Sequence, residues 1–149
     1  MINNIGKRVA ILVLVVGLIA LAVGGVFITL GFQKANLITT SMAAQNVSYA
    51  GAGGDILGII DTPQEAQVMA TILEQHRSER YGSYTSLGKD DPNRQTILNA
   101  MTMENSLNMA VLGYGLTDVV KASGAFMVLV GLAFVAISVP GILQRKPVS

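Results

Sequence analysis

The residues that could carry acid–base or metal chemistry in this sequence are few, and they centre on one histidine. His76 is the only histidine, and Glu79 follows at a spacing that places both side chains on one face of a helix. A metal site needs further ligands, and the chain has no cysteine and no second histidine to provide them. We interpret His76 as a surface or packing residue of a helix, with metal binding or proton transfer as the alternative.

A second set of polar residues stands directly before a long uncharged segment. Asp118 and Lys121 are one helical turn apart, and Tyr114 lies one turn before Asp118. This spacing predicts an ion pair at a membrane interface, with the lysine side chain reaching towards lipid head groups. The alternative is a ligand site formed by Tyr114, Asp118 and Lys121, which would bind a quinone or lipid head group.

The acidic run Asp90-Asp91-Pro92-Asn93 offers oxygen atoms, but its spacing favours a helix start. A calcium loop needs more alternating acids and a distal glutamate, whereas Asp91 before Pro92 is typical of a helix cap. Arg94 follows in the first turn. No phosphate-binding loop or Ser/His/Asp set occurs, so we expect no catalytic residue, no metal, no cofactor and no enzymatic activity.

Two uncharged segments determine the class of protein. The chain has 149 residues, of which 51% are hydrophobic and 13% are charged, with a mean hydropathy of +0.53. Val9 to Gln33 and Ala122 to Gln144 carry no charge, and at about 1.5 Å per residue each can cross a bilayer core of roughly 30 Å. We predict transmembrane helices at 9–32 and 122–143. A cleaved signal peptide is the alternative for the first segment, but its length favours an uncleaved anchor.

The charges predict how the chain is oriented. Lys7 and Arg8 precede the first span, and Arg145 and Lys146 follow the second. The nine acidic residues all lie from Asp55 to Asp118. The positive-inside rule then places the lead 1–8 and the tail 144–149 in the cytoplasm and the middle of the chain outside the cell membrane. The overall balance gives no sign of nucleic-acid binding.

The region between the spans divides into a loop and a helical part. Residues 33–61 are rich in small and polar residues and are predicted to form an external loop, with an extended piece around Asn46–Ala50 and a flexible turn at Gly51–Gly54. Within it, Ile56, Leu57, Ile59 and Ile60 form an apolar patch that must pack on the helices, on the membrane surface or on a partner. The remaining residues, 62–121, are predicted to form an external helical hairpin.

The two helices of that hairpin have recognisable starts. Thr62 can cap a helix, Pro63 suits its first position, and Glu65 completes a capping box. The first helix should end near Gly82, and the second should begin after Asp91 and continue into the second span as one helix or as two nearly collinear helices.

Small residues recur every seven positions in both spans. This repeat keeps them on one stripe of each helix in left-handed packing, and membrane helices associate through such stripes. We expect either that the two spans pack antiparallel through the stripes or that one stripe faces another subunit. The stripe residues are Gly17, Gly24 and Gly31 in the first span and Gly124, Gly131 and Ser138 in the second.

The stretch from Thr62 to about Leu143 resembles a family of small bacterial membrane proteins with two spans and no established activity. The resemblance rests on Thr62-Pro63 with Ala66, on Ile72 and His76, on Gly82, Tyr84 and Leu87, on the run Asp91-Pro92-Asn93-Arg94-Gln95-Thr96, and on Ser106-Leu107. Some such proteins are called ring-opening dioxygenases. A non-haem iron site of the usual kind needs two histidines, and this chain has one.

The sequence thus predicts an all-α membrane protein with two transmembrane helices in an antiparallel hairpin, joined by an external helical hairpin and a glycine-rich loop. We expect a non-enzymatic accessory or scaffold subunit that assembles with itself or with a larger membrane complex. A quinone- or lipid-binding membrane protein is the alternative. Membrane lipid, further copies of the chain and other membrane subunits are the expected partners.

Overall fold

The structure, a computed structural model, describes residues 2–50 and 55–143. Its elements are three helices, a short two-stranded sheet and one 3₁₀ turn. They are α1 (Ile2–Ala44), β1 (Ser48–Ala50), β2 (Ile56–Ile59), α2 (Pro63–Tyr81), the 3₁₀ turn (Tyr84–Ser86) and α3 (Asn93–Leu143). The predicted turn at Gly51–Gly54 and the predicted tail at 144–149 lie outside the described residues.

Two of these helices are long and apolar enough to cross a membrane. The most apolar windows of Ile5–Ala44 and Asn93–Leu143 have mean hydropathies of 3.0 and 2.5, and only 11% of each window is buried inside the protein. The predicted spans 9–32 and 122–143 fall within these helices. The predicted orientation and the choice of membrane stay predictions.

The prediction of a loop is wrong for residues 33–44. Helix α1 continues through Gln33 to Ala44, because this stretch contains no glycine or proline and buries Met42 on one face. The helix ends just before Asn46, which adopts a φ of 50° and donates its N–H to the carbonyl of Ala43. Asparagine accepts this left-handed conformation more readily than most residues, so it suits the end of a helix.

The second part of the predicted loop forms an antiparallel hairpin, so the fold is not entirely helical. Ser48 of β1 pairs with Ile59 of β2, and Tyr49 pairs with Gly58, with an irregularity in the register before Ala50. The Ile60 N–H extends the ladder by donating to the Val47 carbonyl at 2.9 Å. Gly58 has a φ of 152°, which disfavours a side chain at that position.

Helix α2 starts where the sequence predicts. The Glu65 N–H donates to the Thr62 hydroxyl at 3.3 Å, and the Glu65 carboxylate accepts from the N–H groups of Asp61 and Thr62 at 3.1 and 3.2 Å. These bonds, chiefly that from the Asp61 N–H, lower the pKa of Glu65 below its ordinary value. Pro63 takes the first helical position, where the lack of an N–H has no cost.

The chain divides into two compact units. Unit 1 consists of Met1–Gln33 and Thr117–Ser149, and unit 2 consists of Lys34–Leu116. Helices α1 and α3 contribute residues to both. In unit 2, α2 and β1 cover a small core whose fully or nearly buried members are Met42, Ile60, Ala66, Met69, Ala70, Leu107 and Tyr114.

Candidate functional sites

In unit 1, the glycines of the two predicted stripes lie opposite one another along α1 and α3. A Cβ atom added to Gly24 would lie 2.7 Å from the Gly124 carbonyl oxygen, and one added to Gly124 would lie 2.7 Å from the Gly24 oxygen. A Cβ on Gly131 would likewise meet the Gly17 oxygen at 2.7 Å. Separations this short do not occur for real Cβ atoms, so the two backbones are in direct contact at these positions.

The glycine pairs show that the helices in unit 1 are antiparallel. Gly17 lies opposite Gly131 and Gly24 lies opposite Gly124, so residue numbers increase along α1 where they decrease along α3. Gly31 continues the series near the carbonyl of Thr117, and Ser138 is buried with its hydroxyl donating to the Phe134 carbonyl. The heptad spacing of small residues explains this geometry, because it keeps one stripe of each helix in the seam.

Asp118 and Lys121 form the ion pair that their spacing predicts. The Lys121 Nζ lies 2.6 Å from the Asp118 Oδ1 and 5.1 Å from the centre of the Phe32 ring, and the lysine stem packs over Gly31. The ammonium group is therefore held by an anion and by an aromatic face within unit 1. Binding of a lipid or quinone by these side chains stays a prediction.

Tyr114 belongs to unit 2, where its hydroxyl group joins three segments of the chain. The hydroxyl lies 2.7 Å from the Thr39 hydroxyl on α1 and donates to the Asp61 carbonyl, at the entrance to α2, at 3.1 Å. The ring is 7% exposed. The structure thus gives Tyr114 a role in joining α1, α3 and the start of α2, which its sequence context did not reveal.

An ion pair that the sequence analysis missed connects α2 to α3. The Arg77 Nε and Nη2 donate to the two carboxylate oxygens of Glu104 at 2.6 and 3.1 Å. The side chains are only 15% and 12% exposed. These hydrogen bonds, followed by the charge of Glu104, raise the pKa of Arg77. Two separate helices supply the partners, so no local spacing could have indicated the pair.

Arg94 and Asp91 have structural roles at the start of α3. Asp91 caps the helix by accepting from the Asn93 N–H at 2.8 Å. The Arg94 guanidinium lies 4.2 Å from the centre of the Tyr84 ring, contacts the Tyr84 hydroxyl at 2.5 Å, and donates to the Leu87 carbonyl at 3.1 Å. These contacts hold the connection between α2 and α3 and involve three of the six residues in the run Asp91–Thr96 that carries the family resemblance.

His76 lies on the exposed surface of α2 beside an open depression that it shares with Glu79 and Arg80. No group of three or more metal-binding side chains occurs in residues 2–50 and 55–143. The place of His76 on a solvent-exposed helix face fits the interpretation as a surface residue.

The residues of the predicted apolar patch differ in their burial. Ile60, just after the strand, is completely buried, whereas Ile56, Leu57 and Ile59 are 75%, 64% and 49% exposed. Every residue of the strand is exposed, which means that neither face of β2 is covered by the described part of the chain. The sequence indicated an apolar patch, but it did not indicate which members would be left in solvent.

Comparison with protein-family models, with characterised proteins and with solved structures finds no match to this chain. The resemblance to bacterial two-span membrane proteins therefore stays a prediction.

Proposed function

We propose that this chain is a non-enzymatic integral membrane subunit, which anchors unit 2 to the cell membrane and uses it to contact further protein. In this proposal α1 and α3 span the membrane through 9–32 and 122–143, both termini are cytoplasmic, and unit 2 is extracytoplasmic. The proposal makes the chain an accessory or scaffold subunit, either of a larger membrane complex or of an assembly of its own copies.

The arrangement of residues in unit 1 carries this proposal. The backbones of α1 and α3 meet at small residues of the seam, whereas large apolar side chains such as Leu18, Phe126 and Ile137 are 52%, 68% and 70% exposed. Water would make such exposure costly, at about 25 cal/mol for each Å² of apolar surface, whereas lipid would not. A pair of helices of this kind suits a membrane anchor.

Unit 2 supports the second half of the proposal. Its half-buried charged pair, Arg77 and Glu104, joins two helices, and Tyr114 and Arg94 are engaged in contacts that hold segments together. These polar side chains thus hold the fold of unit 2 together, while the apolar strand β2 is left exposed. An exposed apolar strand is characteristic of a surface that binds another protein.

The test is to isolate the protein from its own membranes in mild detergent and to measure the native mass of the particle. We expect a complex larger than the 15.6 kDa chain, containing either a second subunit in fixed stoichiometry or additional copies. Dilution and a second detergent serve as controls for incidental association. A chain that is extracted alone under all these conditions would contradict the proposal.

A further inference from the structure

We propose that the free edge of β2 binds an extended apolar segment with basic residues at both ends, supplied by a different membrane protein. The inference rests on the proposed accessory role and names the chemistry of the partner. In this complex the segment adds a third strand to the hairpin, so that main-chain hydrogen bonds and the side chains of β2 hold it.

The geometry of the hairpin leaves hydrogen-bonding groups at this edge. Over the residues that the structure describes the sheet has two strands, so β2 has a strand neighbour on one side only. The Ile60 N–H donates to the Val47 carbonyl across the hairpin. In an antiparallel ladder, neighbouring residues direct their N–H and C=O groups to opposite sides of the strand. Ile59, the residue before Ile60, therefore presents its N–H and C=O to the open edge.

The edge also lacks the charged residues and the proline with which many proteins protect a free strand. Strand β2, of sequence Ile-Leu-Gly-Ile, contains no charge and no proline, and its three large side chains are exposed. Natural edge strands are commonly protected by lysine, proline or an inward-pointing charge. A short strand that exposes both apolar faces and one backbone edge has the properties of a site for strand addition.

The strand is held ready for binding by the residue that follows it. Ile60 is completely buried in the core of unit 2, and Asp61 receives the Tyr114 hydroxyl on its carbonyl and donates its N–H to Glu65. The end of β2 is therefore fixed by burial and by hydrogen bonds within the unit. A segment that binds there meets an ordered strand, which lowers the entropic cost of association.

Charge indicates which segment fits. Asp55 and Asp61 lie at the two ends of β2, both are exposed, and neither forms an ion pair within the described residues. Unit 2 as a whole holds five lysines and arginines against eight acidic residues. An apolar segment with a basic residue at each end would place a cation near each of these carboxylates.

The same charges argue against a second copy as the occupant. Antiparallel pairing of β2 with itself would bring Asp55 of one copy close to Asp61 of the other, at both ends of the joined strands. Like charges that lie opposite each other across strands are unfavourable. The contact surface is small, so binding by the edge alone should be weak, and confinement of both proteins to one membrane would raise their effective concentration.

The test uses the full chain in detergent micelles and a fluorescent peptide of alternating valine and threonine with two lysines at each end. We expect saturable binding that weakens as salt is added. A peptide with glutamates in place of the lysines should bind more weakly. A peptide with N-methyl groups on the backbone should lose binding at least about 10-fold, because it cannot form the ladder hydrogen bonds.

Charge reversal in the protein provides the matched variant. The double variant Asp55→Lys with Asp61→Lys should invert the preference and favour the glutamate peptide, with an effect of roughly 2- to 5-fold for each charge. Asp90→Lys, at another exposed acidic site of unit 2, should leave the preference unchanged. An unchanged preference in the double variant, or equal binding of the N-methyl peptide, would overturn the inference.

Two further measurements separate the possible occupants and the two proposals. The chain has no cysteine, so a Leu57→Cys variant that forms an efficient disulfide between copies in native membranes would identify a second copy as the occupant and overturn the inference. If the double variant keeps its native-mass complex, the accessory role stands and this edge is not the docking site. If the wild-type chain is extracted alone, the accessory role fails as well.

Discussion

The two units bury opposite kinds of residue. In unit 1 the buried positions are occupied by glycine and by small polar residues such as Ser138, and no leucine, isoleucine or phenylalanine of its described residues is buried. In unit 2 the buried positions include the large side chains of Ile60, Ile97, Leu107 and Tyr114. Helices in lipid gain little by burying large apolar side chains, whereas a domain in water depends on it. One chain therefore follows two packing rules, of which one suits lipid and the other suits water.

The polar groups follow the same division. Unit 2 has a bidentate ion pair between Arg77 and Glu104 and a hydroxyl group that joins three segments. The described part of unit 1 has one ion pair, Asp118 with Lys121, in which the aspartate side chain is 67% exposed. Stability should therefore depend on backbone contact in unit 1 and on large side chains and polar bonds in unit 2.

The strongest test of this contrast is a substitution at a glycine of the seam. Gly24→Leu should separate α1 from α3, because even its Cβ would lie 2.7 Å from the Gly124 oxygen. We expect a loss of about 3 kcal/mol or more in the free energy of unfolding in detergent, at the upper end of the usual cost of overpacking. Gly25→Leu is the matched control, since nothing lies within 4 Å of a Cβ there.

Gly124→Leu and Gly131→Leu should have similar effects from the other helix, and disrupted assembly would appear as a change in native mass. If Gly24→Leu and Gly25→Leu prove equally stable, the close approach of the helices in unit 1 is wrong.

The next largest effect should come from the ion pair in unit 2. Glu104→Ala would leave the half-buried Arg77 guanidinium without its carboxylate, at a cost of about 3 kcal/mol. Glu79→Ala, on the exposed face of α2, should cost little. The comparison can be made by thermal unfolding of the purified protein. An equal shift in the two melting temperatures would show that the pair contributes no more than a surface charge.

A smaller effect is expected at the tyrosine that joins α1, α3 and the start of α2. Tyr114→Phe retains the ring but removes the bonds to Thr39 and to the Asp61 carbonyl, at a cost of about 1 kcal/mol. Hydrogen exchange should show faster opening at the start of α2 in this variant. Tyr81→Phe removes the hydroxyl of another tyrosine, at the end of α2, and serves as the control. Unaltered exchange in Tyr114→Phe would mean that this hydroxyl does not hold the three segments together.

The smallest effect should be a dependence of protein stability on pH, which arises from the Glu65 carboxyl group. Folding lowers the pKa of this carboxyl from its ordinary value of 4.5, so its stabilising contribution is complete above that pH and is lost as the pH falls through the lower, folded pKa. Glu65→Gln retains an oxygen acceptor but cannot titrate. The stability advantage of the wild-type protein over this variant should therefore decrease on acidification. If the stability difference between the wild-type protein and Glu65→Gln does not change with pH, Glu65 is not the source of the pH dependence.

The sequence predicted those features that depend on local spacing. Thr62, Pro63 and Glu65 indicated the start of α2, and Asp91 with Pro92 indicated the start of α3, because caps use residues within one helical turn. The two uncharged segments likewise predicted helices long enough to span a membrane. In each case the signal and the structure lie in the same stretch of chain.

The sequence failed where tertiary contacts or weak local signals decided the outcome. Residues 33–44 are small and polar enough to suggest a loop, but burial of Met42 and the lack of a helix breaker keep them helical until Asn46. Two contacts join residues that are far apart in the chain, so they depend on how the helices pack. They are the ion pair of Arg77 with Glu104 and the hydrogen bond of Tyr114 with Thr39. The division of the apolar patch between buried Ile60 and exposed β2 has the same origin.

The glycine seam also limits how this chain can change in evolution. At Gly24, Gly124 and Gly131 an added side chain would meet a carbonyl oxygen of the facing helix. A clash between two side chains can be relieved by shrinking the neighbour, but a backbone oxygen is present whichever amino acid occupies the facing position. No single compensating substitution can therefore restore the fit, and related sequences should retain glycine at these positions while the outward-facing residues of the same helices exchange freely among apolar types.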